Sequence, residues 1–183
     1  MSVQFPEIRK SHRALIDRVP VFFVATAAPD GRVNLSPKGR NSLKVLGPNR
    51  IIWLNYTGSG NETAGHLLQH PRMTLMWCAF DGDPMILRAF GTARAVHPGD
   101  LDWDDLSSQF SPDPATRQIF DLKVEMVRAS CGTAVPVMSY VEDRTELAEW
   151  SAAKSPEELI AYRNKKNLQT IDGFPTGLKQ IAP

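Results

Sequence analysis

Apolar positions come in short runs along the first half of the chain, and two spacings alternate. Residues 7–18, EIRKSHRALIDR, carry Ile8, Ala14 and Leu15 among charges, with Pro6 as a starter, which predicts an amphipathic helix. Val19 to Ala27 is a continuous β-prone run ended by the turn Pro29-Asp30-Gly31. Arg32 to Ser36 then alternates, with Val33 and Leu35 on one face, so the two runs read as a hairpin. Leu43 to Leu46 and Ile51 to Asn55 follow as strands around the turn Gly47-Pro48-Asn49. A polar turn, Tyr56 to Asn61, leads into a short helix, Glu62 to Gln69, which stops before Pro71. Met73 to Phe80 and Met85 to Val96 form the next strand pair, and Gly91 inside the second marks a bend or bulge. Six strands joined by antiparallel hairpins, with one helix after the fourth, predict a small closed or split β-barrel.

From Pro98 the pattern changes. GDLDWDDL reads as a helix capped near Asp100, and SPDPATRQIF as a further short helix after Pro114. Leu122 to Ser130 alternates and is expected to rejoin the sheet, with Ala134 to Tyr140 as an edge segment marked by Pro136. The tail is two helices broken at Ser155-Pro156, the serine capping and the proline taking the first helical position. Leu147, Trp150, Leu159, Ile160 and Tyr162 give it an apolar stripe, which would close over a barrel mouth or a second subunit, or pack on its own domain. The expected division is a barrel over 1–141 and a helical extension over 142–183.

Composition narrows the classes of function. The 183 residues are 42% hydrophobic and 22% charged, ordinary for a globular domain. Lys+Arg 21 against Asp+Glu 20 leaves no basic field to draw nucleic acid. No run is long and apolar enough for a membrane span, and the first residues lack a secretory h-region, so the expected location is cytoplasmic. Cys78 and Cys131 sit among apolar or small residues and are read as buried, reduced thiols. His66 and His70 lie four apart on one helix face, but no third metal ligand accompanies them.

The candidate chemistry lies in the turn. TGSGN followed by a helix gathers free amides, the hydroxyls of Thr57 and Ser59 and the amide of Asn61 at a positive helix terminus. Gly58 and Gly60 let a ligand approach the backbone. The same residues also suit a plain N-cap, and both readings stand. Lys38, in the cluster Ser36-Pro37-Lys38-Gly39, could add a positive charge to the same anion or point to solvent. Arg88 shares a strand face with Ile86 and Phe90, so it needs a ligand anion, a carboxylate or a sheet edge. Trp53, Tyr56, Trp77 and Phe80 offer flat surfaces beside the turn, or core. No GxSxG elbow or paired carboxylates are present.

The segments VPVFFVATAAPDGRVNLSPKG, IIWLNYTGSGNETAGHLLQHPRMTLMWCAF, ILRAFGTARAV and SCGTAVPVMSY resemble the pyridoxamine 5'-phosphate oxidase-like flavoproteins of the FMN-binding split-barrel fold, in a branch with a TGSGNET turn. The resemblance implies a six-stranded antiparallel split barrel and a homodimer with FMN in a groove between subunits. By position it assigns the cofactor to Ser36, Lys38, Asn55, Tyr56, Thr57, Ser59, Asn61 and Arg88. The true oxidases have a Ser-Arg-Lys run in the turn, where Gly60 and Asn61 follow Ser59 here. The terminal Trp and Arg motif that grips pyridoxal phosphate is also missing, so vitamin B6 oxidation is not expected. What remains is a flavin-dependent oxidoreductase acting on a small molecule, the cofactor supplying the redox chemistry. The alternatives are a non-catalytic flavin or haem binder with a stress-related role, and a dimeric scaffold whose turn holds a stray anion.

Overall fold

The computed structural model describes residues 2–181. Its strands are β1 (Ser2–Phe5), β2 (Phe22–Thr26), β3 (Asn34–Lys38), β4 (Leu43–Gly47), β5 (Arg50–Tyr56), β6 (Arg72–Cys78), β7 (Met85–Val96) and β8 (Thr116–Cys131). The helices are α1 (Lys10–Arg18), α2 (Glu62–Gln69), α3 (Trp103–Ser107), α4 (Glu146–Ala152) and α5 (Pro156–Lys166). The sheet runs β3-β2-β6-β7-β8-β5-β4, with β1 added to β8, and the pairings are antiparallel. This is an antiparallel split barrel with flanking helices.

One face of the curled sheet closes on itself. Trp53, Trp77, Phe120, Leu75, Leu87 and Leu122 are fully or almost fully buried there. Trp53 stacks on Phe120 at 4.4 Å between ring centroids, and Phe22 meets both indoles. Trp53 and Trp77 are therefore core, not platforms for a planar ligand. A smaller cluster of Ile52, Leu54, Val96, Leu106 and Ile119 seats α3 on the far side of β5 and β8.

Gly91 lies at a register shift between β7 and β8, where a Cβ would stand 1.9 Å from the Lys123 carbonyl oxygen. Only a residue without a side chain lets the strands approach so closely, and the bulge bends the long β7–β8 ribbon round the core.

Three expectations are corrected. Residues 116–121 extend β8 and form no helix, because Thr116, Ile119 and Phe120 are β-prone and the segment finds a ladder partner in β5, Leu54↔Ile119 and Asn55↔Gln118. Residues 134–140 form no strand; Pro136 has no N–H, and the segment's link to the sheet is Met138 N–H to the Phe80 carbonyl at 2.9 Å. Cys131 is exposed at the end of β8, while Cys78 is buried. The strand β1, which carries little apolar pattern of its own, exists because β8 offers it a pairing edge.

The tail packs on its own chain. Ser155 Oγ accepts from Glu158 N–H at 3.2 Å, and Glu158 answers by accepting from Ser155 N–H at 2.8 Å, a reciprocal cap with Pro156 at the first position. Beyond α5, residues 167–176 return as a strap along α2. Thr170 and the Pro175 carbonyl crowd Gly65, where a Cβ would lie 2.2 Å from Thr170 Cγ2. Glu62 accepts from Ile171 N–H, and Asp172 pairs with Arg32. No described helix is long and apolar enough to cross a membrane.

Candidate functional site: a turn with unclaimed amides over a buried arginine

The turn begins where the ladder fails. β5 pairs with β8 through Asn55, and the register slips between Asn55 and Tyr56. Thr57 then leaves the sheet, its N–H and its hydroxyl both donating to the Ala115 carbonyl at 2.7 and 2.9 Å. Asn61 closes the turn from inside: it donates to the Asn167 carbonyl at 3.1 Å and accepts from Gln118 Nε2 at 2.7 Å. These two side chains are fully or almost fully buried and committed to internal partners.

The middle of the turn is different. Ser59 is exposed and its hydroxyl has no protein partner among the described residues. The amides of Gly58, Ser59, Gly60 and Asn61 likewise donate to no acceptor among the described residues. Two of the turn's carbonyls are occupied: Arg117 donates to Gly60 at 3.0 Å and to Gly58 at 3.5 Å, and Asn167 Nδ2 donates to Gly58 at 2.8 Å. The turn is held from one side only.

Around Arg117, which holds the turn, lies a set of cations without counter-ions among the described residues. Lys38 sits at the end of β3 opposite Phe22, on the inward face, its Nζ 5.5 Å from the centre of the Trp53 ring. It forms no ion pair among the described residues, and burial together with the nearby Arg117 charge brings its pKa down to about 8. Arg117 is 2% exposed, also without a carboxylate among the described residues, and burial lowers it to about 9. Its Nε meets no acceptor among those residues. Arg163, from α5, donates to Thr57 Oγ1 at 2.8 Å and to the Pro114 and Thr116 carbonyls, all neutral acceptors. The contrast is with a surface groove of about 340 Å³ between Arg50, Arg94 and Asp121, where each arginine already holds an aspartate. A buried charge without a partner is costly, and Arg117 is buried while Lys38 and Arg163 are half-buried.

The expected site residues thus divide. Lys38 and Ser36 share the inward face of β3, Ser36 half-buried opposite Val24. Asn34 Nδ2 ties that strand to α2 through Thr63 Oγ1 at 3.2 Å. Asn55 is buried in the ladder next to the turn. Tyr56 points the other way, packed with the α3 cluster under the Arg40 guanidinium at 4.4 Å, and burial raises its pKa. Arg40 pairs with Asp113 at 2.9 Å there, beside a hollow of about 250 Å³. Arg88 lies on the sheet's outer face, in the cross-strand row Pro37–Phe23–Met76–Arg88–Arg128, away from Lys38 within one chain. His66 is buried with Nδ1 3.2 Å from Thr26 Oγ1, and His70 accepts from Arg72, so the two imidazoles serve separate local contacts. Arg117 and Arg163 were not foreseen. Arg117 was hidden by reading its segment as a helix; the β-prone Thr116, Ile119 and Phe120 around it were the available signal.

A strand-to-helix turn with unclaimed amides above a buried arginine, set on an antiparallel split barrel with flanking helices, defines the class by its fold. The family follows from known proteins. The family profile described as "Pyridoxamine 5'-phosphate oxidase" matches residues 8–131, and the chain belongs to that family. It is similar to the pyridoxamine 5'-phosphate oxidase family protein ustO of Aspergillus flavus, 31% identical over 178 residues, covering 86% of this chain and 71% of that one. Among solved structures it resembles a protein of Lactobacillus delbrueckii provisionally assigned as a pyridoxamine 5'-phosphate oxidase, with TM-score 0.54, 19% identity and coverage of 69% and 97%. HupZ of Group A Streptococcus matches at TM-score 0.51 and 17% identity, with coverage of 65% and 91%. At these identities the two structures establish the fold.

Proposed function

We propose that the protein binds FMN as a homodimer and serves flavin-mediated oxidation or reduction of a small molecule in the cytoplasm. The observation that carries this reading is the turn at Gly58 to Asn61, whose amides face no acceptor among the described residues while unpaired Lys38 is near enough to feel the charge of Arg117, which holds the turn. A phosphate monoester matches both features, and the residues present fit one. Lys38, Ser36 and Ser59 would hold the phosphate together with the turn amides, while Thr57, Asn61 and Asn55 shape the turn. When bound, the flavin supplies the hydride or electron transfer.

The dimer reading rests on the outer sheet face. Phe23, Ala25, Met76, Phe90 and Met126 lie there half-buried, with Leu35 64% exposed, a contiguous apolar surface that a second copy would cover. Arg88, in the middle of that surface, would reach the partner's flavin. Vitamin B6 oxidation is not part of the proposal, because the turn's own sequence lacks the Arg-Lys pair of the true oxidases.

FMN titrated against the protein, followed by quenching of flavin fluorescence, tests the reading, with riboflavin as the comparison lacking phosphate. Saturable FMN binding supports it; equal indifference to both flavins removes it. A second reading, a flavin carrier without turnover, is favoured by Glu62: this carboxylate, next to the turn in sequence, is already committed to the Ile171 N–H. Failure of NADH and NADPH to bleach bound flavin would select the carrier.

A further inference from the structure

The peptide unit fixes a relation between the two sides of the turn. No peptide bond among the described residues is cis, so each carbonyl points opposite to the N–H of the residue that follows it. The Gly58 carbonyl faces Arg117 and Asn167; the Ser59 N–H therefore faces away from them. The Gly60 carbonyl faces Arg117; the Asn61 N–H is turned outward in the same way. One guanidinium thus holds two peptide units with their donors directed to the ligand side. It also polarises both units, since a cation at the oxygen strengthens donation from the nitrogen.

Resting on the phosphate-binding reading above, we infer that Arg117 is the positioning cation of this site: from beneath the turn it fixes the outward amides and supplies the positive charge that Gly60 and Asn61 do not, for a phosphate monoester dianion. Three further observations agree. Arg117 is 2% exposed and has no carboxylate among the described residues, so its charge is not cancelled locally. Its Nε has no acceptor there, so the guanidinium is incompletely satisfied by the protein. Lys38 and Arg163 each stand near enough to Arg117 for the charges to be felt: the Arg117 charge depresses Lys38, and that of Arg163 depresses Arg117. Three cations around one turn repel each other until an anion joins them. The charge of Arg117 and Arg163 sits in strand β8 and helix α5, not in the loop, so the site's rigidity comes from elements outside the turn.

The experiment separates the brace from the charge. Arg117→Gln keeps a donor for the Gly60 carbonyl without the charge, and Arg117→Lys restores charge with a poorer fork. Thermal unfolding of the full chain is followed while inorganic phosphate is added at constant ionic strength, and FMN and riboflavin affinities are measured in parallel. Phosphate is expected to raise the melting temperature of the unsubstituted protein, with half-saturation shifted upward about tenfold or more in Arg117→Gln and recovered in part by Arg117→Lys. The preference for FMN over riboflavin should fall by a similar factor in Arg117→Gln while riboflavin binding stays unchanged, which a merely structural loss would not produce. A folded Arg117→Gln protein with undiminished phosphate response and flavin preference overturns the inference and leaves the flavin reading standing. Phosphate stabilisation dependent on Arg117, without FMN binding, does the reverse. An unsubstituted protein blind to phosphate overturns the inference as well.

Discussion

Replacing Lys38 by Met should move stability and ligand affinity in opposite directions. The side chain reaches inward over Trp53 with no counter-ion among the described residues, and its pKa falls from 10.5 to about 8. The folded value lies below the unfolded one, so the unfolded chain holds the proton more readily between those limits. The charged lysine then costs stability at all pH values below about 8, and the cost is relieved as pH climbs toward 10.5. A displacement of that size corresponds to roughly 2 to 3 kcal/mol once some solvent screening is allowed for. Lys38→Met keeps a long apolar stem against Trp53 and removes the charge, so the ligand-free protein should become more stable by about that amount at pH 7. The FMN phosphate, by contrast, loses a charge-assisted hydrogen bond worth about 1.5 to 3 kcal/mol, roughly ten- to hundredfold in affinity. Urea unfolding in phosphate-free buffer from about pH 6.5 to 10.5, and FMN titration over the same range, read the two effects. The unsubstituted protein should gain stability and lose FMN affinity as pH rises through about 8, and Lys38→Met should lack that step, keeping only the change that Arg117 brings above about 9. A variant that is less stable at pH 7 and binds FMN undiminished would refute the reasoning, placing Lys38 in a structural contact.

Other substitutions probe other parts of the molecule. Gly91→Ala drives a methyl into the Lys123 backbone and should cost about 2 kcal/mol or more, seen as a melting temperature lower by several degrees. Asn61→Ala strands the buried Gln118 amide, while the Asn167 carbonyl keeps Thr176 Oγ1 at 2.6 Å, and should lower urea stability by about 1 to 3 kcal/mol. Ser59→Ala, at an exposed hydroxyl without a partner among the described residues, should leave stability within about 0.5 kcal/mol and weaken FMN a few-fold. Met76→Glu puts a charge in the centre of the outer apolar face; sedimentation velocity should show a folded monomer with weakened flavin binding, and an unchanged oligomer would move the interface elsewhere.

What the sequence disclosed follows the range of the forces involved. The helix at Glu62–Gln69 and the strand Met85–Val96 were legible to the residue, because turn residues or prolines bound both and their patterns are local. The bulge at Gly91 was readable from one glycine in an otherwise branched and apolar run. The start of β8 was not: Pro114 is a sound local signal for a helix, and only the waiting edge of β5 overrules it. That same error concealed Arg117, since a charge on a presumed surface helix attracts no suspicion while the same charge inside a sheet does. The turn was found from its glycines and hydroxyls, but the sequence could not say which of its groups look inward. Thr57 and Asn61 turned out to be fasteners because Ala115, Gln118 and Asn167, 57 to 106 positions away along the chain, complete bonds that no local pattern encodes.

The strap over residues 167–176 has a bearing on how the protein matures. Asn167 and Thr176 arrive late from the ribosome, yet Asn167 clasps Gly58 and Asn61, and Ile171 engages Glu62 at the head of α2. A nascent chain can curl its barrel long before then, but the turn stays without these fastenings until these residues have been made. On the proposed function, a polypeptide cut short after α5 should look folded by its spectrum and fail to take up FMN.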